Sequence, residues 1–436
     1  AAALALTLAL AAPGAAPATE DGGAPTLDAA ASDPARLGWM QGFPPPPEAR
    51  IRGHDPDFFA FPKLRWTVCH VRQLMPTVGV SRGTGAAIPL PRALDPAIPA
   101  LEVRPLDGAP PMSFAEAMDA AYADGVLVIH QGRIVHERYA GCLDPATPHA
   151  VMSVTKSLTG LLAEILAAEG ALDPDAPVSD LVPELAPSAF GDATVRQVMD
   201  MTTGLAFSED YADPEADVWR HAAAGSTLPR PPGYDGPEGY YDYLTTVRRD
   251  GAHGAAFGYR TPNSDALGWI LARATGRSVA ELLETRIWSR LGAERDAHFT
   301  VDATGAPFAG GGFSATLRDL GRLGLMLLEG GVALDGARVL PEAAVASIRG
   351  GGDRAAFAAA GYDRLEGWSY RGMWWIAHDA NGAFAARGVH GQTIYVDPTA
   401  GMVLVRFASF PRAQNGLIDP TSLPAYQAVA EHLSGR

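Results

Sequence analysis

The alternation of apolar and polar positions predicts strands near both ends of the chain and helices between them. Residues 126–129 and 134–139 are short runs typical of strands, and Gln131 and Gly132 between them predict a hairpin turn. Three later runs also read as strands, at 373–377, 392–396 and 402–407. This order predicts one antiparallel sheet built from both parts of the chain, with a helical region inserted between them.

The clearest helix opens at Ser153. From there, apolar residues recur at helical spacing as far as Gly170, a residue that commonly ends a helix. Ser113 and Thr194 are predicted to cap two further helices. Other helical patterns cover residues 264–275, 279–291, 316–329 and 424–433. Residues 204–258 show little periodicity, and a connection of that length is usually functional or mobile.

The predicted fold class is α/β (α+β), in which an antiparallel sheet flanked by helices packs against a mostly helical lobe at about 170–310. Residues 1–24 resemble the remnant of a signal peptide, with a disordered Ala/Pro tail as the alternative. That interpretation favours a periplasmic or secreted protein over a cytoplasmic one. Residues 25–110 are predicted to be an extension that wraps the core, or else an arm that binds another protein. Residues 111–436 are predicted to form the main domain.

Composition narrows the classes of function. A net charge of −15 without any run of basic residues disfavours nucleic acid as a partner. The eleven histidines form no His-Glu-x-x-His pattern, so a zinc hydrolase has little support, and no metal or other cofactor is predicted. Beyond the first residues, no stretch approaches the ~20 apolar residues that a membrane span needs. Cys69 and Cys142 are either free thiols or one disulfide.

Lysine is scarce in this chain. Only Lys63 and Lys156 are present, so 32 of the 34 basic residues are arginine. Arginine stays protonated in proteins, whereas a buried lysine can lose its proton. A site that needs a titratable amine therefore has to keep its lysine, and this points to Lys156 independently of any motif.

Ser153 and Lys156 form a Ser-x-x-Lys motif at the start of the predicted helix. Residues three apart share a helical face, so the hydroxyl and the amine can approach hydrogen-bonding distance. A serine needs an adjacent base to become a nucleophile, and a buried lysine of lowered pKa can supply it. The free N–H groups of the first turn suit a developing oxyanion. A Gly-x-Ser-x-Gly elbow is not visible, which counts against a Ser-His-Asp triad.

Two segments beyond the motif give the chain a family resemblance. Residues 194–205 and residues 257–269, the latter with Tyr259 and Asn263, resemble the penicillin-recognising serine hydrolase superfamily, which includes class C β-lactamases, D,D-peptidases and related esterases. The 6-aminohexanoate-dimer (nylon-oligomer) hydrolases are the most similar branch, and residues 38–44 resemble its N-terminal extension. The resemblance implies a β-lactamase/transpeptidase-like fold for residues 111–436.

The resemblance also implies roles for individual residues. Ser153 would be the nucleophile, Lys156 the base and Tyr259 a phenol that shuttles a proton, its pKa lowered by the nearby lysine. Asn263 would orient the site or the substrate carbonyl. Tyr211 resembles a loop tyrosine that closes over substrate, and an ordinary exposed tyrosine is the equal alternative.

The strand that follows departs from the superfamily pattern, because Ala386, Arg387 and Gly388 stand where β-lactamases carry Lys-Thr-Gly. Gly388 would let substrate lie close to the strand, and the Val389 N–H would pair with that of Ser153 in an oxyanion hole. His390 is interpreted as a structural residue at a turn beside the substrate site.

Trp375 is predicted to wall the acyl pocket. The missing lysine and threonine are the groups that hold the carboxylate of a β-lactam. Their absence favours an ordinary small-molecule ester or amide as the substrate.

The predicted function is therefore a serine hydrolase that forms an acyl-enzyme with a small ester or amide. A β-lactamase or D,D-peptidase is the first alternative, and a catalytically silent binding protein on the same fold is the second. The natural acyl and leaving groups and the oligomeric state, a homodimer included, stay open.

Overall fold

The computed structural model describes residues 27–435, so the signal-peptide prediction lies outside the described residues. Its strands are β1 (Thr77–Val80), β2 (Glu102–Val103), β3 (Met112–Ser113), β4 (Ala123–His130), β5 (Arg133–Tyr139), β6 (His149–Ala150), β7 (Ala297–Thr300), β8 (Phe313–Ala315), β9 (Ser369–Arg371), β10 (Trp374–Ile376), β11 (Phe384–Gly388), β12 (Gln392–Asp397) and β13 (Met402–Ala408).

Its α-helices are α1 (Leu64–Thr67), α2 (Val71–Leu74), α3 (Phe114–Ala120), α4 (Val154–Ala168), α5 (Val178–Leu181), α6 (Val195–Met199), α7 (Asp217–Ala224), α8 (Tyr240–Thr246), α9 (Pro262–Thr275), α10 (Val279–Arg286), α11 (Leu317–Leu328), α12 (Glu342–Gly350), α13 (Arg354–Ala358) and α14 (Asp419–Leu433). None of the helices within residues 27–435 is both long and apolar enough to cross a membrane.

The main sheet has the strand order β5-β4-β13-β12-β11-β10-β9, and each neighbouring pair is antiparallel. Strands from before and after the helical region meet where β4 pairs with β13. The predicted hairpin joins β4 to β5, and both of its turn residues, Gln131 and Gly132, have the positive φ that such a turn requires. The prediction of a sheet assembled from both parts of the chain is confirmed.

A second, smaller antiparallel sheet has the order β1-β7-β8-β6. It was not predicted, because its strands have two to four residues and are too short for an alternating pattern to be visible. Phe299 and Phe313 on one face of it are fully buried in the main core. This sheet matters for the site because β6 ends at Ala150, three residues before Ser153.

Helix α4 is the central helix, and its residues are buried from Val154 to Leu166. Its close packing depends on Gly160. A Cβ at this position would stand 1.9 Å from the Gly372 carbonyl oxygen, a backbone atom that a side chain cannot displace cheaply. Helix α4 is therefore held tightly between the main sheet and the helical region, which fixes the direction in which its first turn points.

The long segment at 204–258 is more ordered than its composition indicated. It contains α7 and α8, neither of which was predicted. The helix predicted at 279–291 ends at Arg286 and is followed by a 3-10 turn at Trp288–Arg290. The capped helix at Thr194 is present with both capping-box bonds, but it has only five residues.

The N-terminal segment is tied to the main body next to the site. Leu64, Val68 and Val71 are buried against Ala150, and the Ala150 N–H donates to the Val68 carbonyl at 2.8 Å. Cys69, directly after Val68, forms a disulfide with Cys142, which settles the question that the cysteine count left open.

We expect the disulfide to stabilise the fold appreciably, because it closes a loop between positions separated by 73 residues. Replacing both cysteines with serine should lower the free energy of unfolding by about 2–5 kcal/mol. Urea unfolding of the variant and of the oxidised wild type measures this difference, with reduced wild type as the matched control. Equal stability of the three samples would contradict the prediction.

Candidate active site

Ser153 lies at the junction between β6 and α4, in the N-cap position of the helix. Strand β8 fixes this junction from the side. The Val151 N–H donates to the Phe313 carbonyl at 3.0 Å, and the Phe313 N–H donates to the Thr155 hydroxyl at 3.1 Å. Only 6% of Ser153 is exposed. The Ser153 hydroxyl is therefore held by rigid elements on both sides.

The Lys156 amine lies one helical turn from Ser153, as the motif predicted. Its Nζ is 3.1 Å from the Ser153 Oγ and donates to the Gly310 carbonyl at 2.7 Å. Burial lowers the pKa of this amine to about 8, although the carboxylates of Glu209 and Asp265 act to raise it. At that pKa, an appreciable fraction of Lys156 is uncharged near neutral pH and can accept a proton.

Tyr259 contacts the same hydroxyl, but the prediction of a lowered pKa was wrong. Burial raises the pKa of the Tyr259 phenol well above its usual value, and a hydrogen bond to Ser153 lowers it only in part. The Lys156 Nζ lies over the face of the tyrosine ring, 5.2 Å from its centre. The nearby Glu209 carboxylate adds to the upward shift. Tyr259 is therefore a neutral phenol at physiological pH, able to donate a proton.

The strand that lines the site ends earlier than predicted. β11 stops at Gly388 and β12 starts at Gln392, and between them His390 has a φ of 62°. Gly388 is needed for a close approach of the main chain rather than of substrate. A Cβ there would stand 2.7 Å from the Val151 carbonyl oxygen and 3.0 Å from the Ser153 nitrogen. The end of β11 and the start of α4 thus bring the backbone of Gly388 beside that of Ser153.

His390 lies beside the cleft as a turn residue. Its Nδ1 is 2.7 Å from the Phe410 carbonyl oxygen, and its main-chain N–H donates to the Ala413 carbonyl at 3.1 Å. Burial lowers the pKa of the His390 imidazole, so the ring is neutral at pH 7. These contacts fit the structural interpretation of this residue.

Tyr211 lines the cleft and is half-buried, and its hydroxyl donates to Glu209 at 2.8 Å. Glu209 also accepts the Thr261 N–H at 2.7 Å, which ties the 204–258 segment to the start of α9. Sequence analysis missed Glu209, because one carboxylate in an aperiodic acidic stretch carries no signal. The structure brings Tyr211 to the cleft with a defined hydrogen-bond partner.

Of the predicted site residues, Tyr259 and Gly388, whose positions beside Ser153 are given above, do not line the cleft, and neither do Asn263 and Trp375. The Asn263 amide accepts from the Thr203 hydroxyl at 2.6 Å and donates to the Arg260 carbonyl at 3.1 Å, so it supports the scaffold instead of facing substrate. Trp375 stacks against Tyr259, with ring centres 5.5 Å apart, and so lies behind the phenol. Both corrections have one cause: the side chain already makes its contacts with residues of other elements, so it is not free to contact substrate.

A buried His221–Asp265 pair was also missed. The Nε2 of His221 and a carboxylate oxygen of Asp265 are 2.8 Å apart, and both side chains are buried. Burial raises the pKa of Asp265, against the lowering effect of His221. The two residues are 44 positions apart on different helices, so no local pattern could have paired them.

Ser153 and Lys156 open into a cleft of about 1640 Å³. The N-terminal segment forms one part of its wall, α7 with the loops before and after it forms another, and the loop after β13 forms a third. The principal lining residues of these three parts are Phe59, Phe61, Val71 and Met75; Tyr211, Trp219, His221 and Arg230; and Phe410 and Arg412. The predicted Val389 and His390 also line the cleft.

This arrangement of sheet, central helix and buried serine–lysine pair matches a known family. Residues 113–421 match the family model described as Beta-lactamase. The chain belongs to the beta-lactamase family and is a hydrolase with the fold of that family.

Individual relatives show a more specific similarity than the family model does. The chain is 38% identical over 354 residues to the 6-aminohexanoate-dimer hydrolase of Paenarthrobacter ureafaciens, covering 80% of this chain and 86% of that one. A solved structure from Bacillus anthracis, proposed to be a 6-aminohexanoate-dimer hydrolase, is 31% identical with a TM-score of 0.80, covering 88% and 97% of the two chains. A class C beta-lactamase of Rhodobacter sphaeroides has the same fold, at 19% identity and a TM-score of 0.51 over 72% and 99%.

Proposed function

We propose that the enzyme hydrolyses an amide or ester bond of a small substrate through an acyl-enzyme on Ser153, with Lys156 as the base. The observation that carries this proposal is the 3.1 Å contact between the Lys156 Nζ and the Ser153 Oγ. The lysine is 1% exposed, and burial lowers its pKa to about 8. An amine that is shielded from water at this distance can accept the Ser153 hydroxyl proton while the serine oxygen forms its bond to the substrate.

In the first half-reaction, the Ser153 oxygen attacks the carbonyl carbon while its proton passes to Lys156. The charge that develops on the carbonyl oxygen would be held by the main-chain N–H groups of Ser153 and Val389, and the close approach of Gly388, the residue before Val389, to the Ser153 nitrogen supports this assignment. Removing one such donor typically costs about 10²–10³ in rate. The tetrahedral intermediate then collapses to the ester of Ser153.

Collapse requires a proton on the departing nitrogen or oxygen, and the neutral Tyr259 phenol is suited to supply it. Its hydrogen bond to Ser153 keeps the phenol next to the reacting atoms. The proton held on Lys156 then replaces the one that Tyr259 has given away. In the second half-reaction, water attacks the ester while Lys156 accepts its proton, the proton then passes to the departing Ser153 oxygen, and the acid product leaves.

We favour an amide bond in a linear molecule as the substrate, because two of the relatives are named for 6-aminohexanoate-dimer hydrolysis. A β-lactam is less suited. Arg387, the one cation where the superfamily has its motif lysine, is paired with Asp419 and lies over the Trp375 ring at 5.3 Å. It is therefore engaged away from the cleft.

A substrate panel tests the proposal. Purified enzyme is assayed on p-nitrophenyl butyrate, on a 6-aminohexanoate dimer and on nitrocefin. We expect turnover of the ester and the linear amide, and nitrocefin turnover at least about a hundredfold slower. Nitrocefin as the best substrate would favour the β-lactamase alternative. A folded protein that turns over none of the three and is not labelled on Ser153 by a fluorophosphonate would favour a binding protein.

The acylation rate should rise with pH through a midpoint near 8. The base is active only when uncharged, and burial lowers the pKa of Lys156 from 10.5 to about 8, so the active fraction grows as pH increases across that value. Stopped-flow acylation by an activated ester between pH 6 and 9.5 measures this. A rate that is flat over this range, or that falls above pH 7, would contradict the assignment of Lys156.

We further propose that the enzyme works in an oxidising compartment, the periplasm or the cell exterior. The Cys69–Cys142 disulfide supports this, because such bonds persist there and are rare in the cytosol. Mass spectrometry of protein recovered from each cell fraction, with free thiols alkylated at lysis, tests it. Recovery mainly as a cytosolic dithiol would contradict the proposal.

A further inference from the structure

The Val389 N–H, one of the two groups assigned to the oxyanion hole, belongs to the peptide group that joins Gly388 to Val389. This peptide is trans. The C=O and the N–H of a planar trans peptide point in opposite directions. A contact that fixes the Gly388 carbonyl therefore also fixes the direction of the Val389 N–H.

Asn415 makes such a contact from the loop after β13. Its side-chain Nδ2 donates to the Gly388 carbonyl at 3.0 Å. A carbonyl oxygen can only accept, so the Asn415 amide has to present its nitrogen to it. Asn415 opens the 3-10 turn Asn415–Leu417 that leads into α14, and its own carbonyl accepts the Ile418 N–H at 2.9 Å. The donor is thus carried by an ordered turn.

Asn415 and the cleft lie on opposite sides of the end of β11. Asn415 lines a cavity of about 10 Å³ between the main sheet and α14, together with Ala385, Thr393 and Tyr426. Among the described residues that line the cleft, Asn415 is absent, whereas Val389 is present. Because the Gly388 carbonyl faces Asn415, the N–H of the same peptide faces away from α14, towards the side where the cleft lies.

This peptide needs an external contact to stay in place. Gly388 has to be a glycine, since a Cβ would stand 2.7 Å from the Val151 carbonyl oxygen, and a glycine restrains its following peptide less than other residues do. The next part of the turn is held by the same loop. The His390 N–H donates to the Ala413 carbonyl and the Phe410 N–H donates to the His390 carbonyl, both at 3.1 Å.

We propose that Asn415 is a positioning residue for the oxyanion hole. Its amide holds the Gly388 carbonyl on the α14 side and so keeps the Val389 N–H directed at the cleft. Without it, the peptide can rotate, which removes the donor and turns a carbonyl oxygen towards the developing charge. A donor that is already oriented costs no reorganisation during the reaction. This inference rests on the proposed function and adds a residue that acts through the main chain.

Two substitutions at this position test the role. Asn415→Ala removes the donor, and Asn415→Asp keeps its shape but offers only acceptors to the Gly388 carbonyl. In stopped-flow acylation by p-nitrophenyl butyrate, the rate constant should fall about tenfold in the alanine variant and at least as much in the aspartate variant, because losing a whole donor costs about 10²–10³. The dissociation constant of the ester should change less than about threefold, since the charge develops only in the transition state.

A boronic acid reports on the oxyanion hole without turnover. The Ser153 oxygen adds to the boron of butylboronic acid, the hydroxyl proton passes to Lys156 and no group leaves, so the adduct is tetrahedral and resembles the intermediate. Its inhibition constant should rise by the factor by which acylation slows. Asn381→Ala and Asn381→Asp are the matched controls. Asn381 donates to Asp397 at 2.6 Å at the other end of β11, so both constants should stay within about twofold of wild type.

Three results would overturn the positioning role: wild-type acylation in Asn415→Asp, a loss that appears in the dissociation constant of the ester instead of the rate, or slower acylation with unchanged boronic acid affinity. Circular dichroism checks folding, and if one variant fails to fold the other decides. In each case the wild type still acylates Ser153, so the proposed function stands. A wild type that neither forms the acyl-enzyme nor binds the boronic acid would instead overturn the proposed function.

Discussion

Replacing Ser153 with alanine is expected to lower the hydrolysis of an activated ester by about four orders of magnitude or more. No other group is placed to form the covalent intermediate if the proposed mechanism holds, and removal of a serine nucleophile typically costs about 10⁶ in kcat. The fold should survive, because the hydroxyl makes no cap bond to the helix that it precedes. Initial rates on p-nitrophenyl butyrate, with circular dichroism as the folding check, measure this effect.

Ser157 provides the matched control on the same helix. It is also buried, and its hydroxyl donates to the Met373 carbonyl at 2.6 Å. Ser157→Ala should lower the free energy of unfolding by about 1 kcal/mol and leave the rate within a few-fold of wild type. Wild-type activity in Ser153→Ala would rule out the acyl-enzyme on Ser153.

Replacing Lys156 with methionine is expected to lower the acylation rate by about 10²–10⁴, the usual contribution of a general base. Lys156→Arg should be no better, because arginine keeps its proton at any usable pH. The only other lysine in the chain, Lys63, is bound to Asp57 at 2.7 Å away from the cleft, so Lys63→Met is the control and should keep full activity. Fast acylation in the arginine variant would contradict the role of Lys156 as base.

The lowered pKa of Lys156 should also make the free energy of unfolding depend on pH. Its pKa is lowered from 10.5 to about 8 in the folded state, so the folded protein binds fewer protons than the unfolded chain between these values. The free energy of unfolding of the wild type, relative to that of Lys156→Met, should therefore rise by about 3 kcal/mol from pH 8 to pH 10.5. Below pH 8 the cost of burying the charged amine is fully present. Urea unfolding of both proteins at pH 7.5 and 10 measures the difference. An unchanged difference would contradict the lowered pKa.

Features governed by local spacing could be predicted from the sequence. Ser153 and Lys156 are three residues apart on one helix, so the helix alone brings them together, and the structure has their polar atoms 3.1 Å apart. The hairpin at Gln131 and Gly132 and the caps at Ser113 and Thr194 depend on equally local rules. The hydrophobic patterns of the long helices and of the central strands were visible for the same reason.

Features that depend on distant residues could not be predicted. The pKa of Tyr259 was expected to be lowered by its lysine neighbour, but burial of the phenol raises it and the Glu209 carboxylate adds to that shift. Asn263 was predicted to orient the site or the substrate carbonyl, and its amide oxygen instead accepts from Thr203, 60 positions away. His221 and Asp265 meet across 44 positions, and the contact of Asn415 with Gly388 joins residues 27 positions apart.

Mass spectrometry of the intact protein during turnover tests the central claim most directly. Enzyme mixed with an activated ester and quenched in acid within milliseconds to seconds should gain the mass of one acyl group, and peptide mapping should locate that group on Ser153. The adduct should be absent from Ser153→Ala and should accumulate faster at pH 8.5 than at pH 6.5. Turnover without any adduct, or an adduct on another residue, would contradict the account.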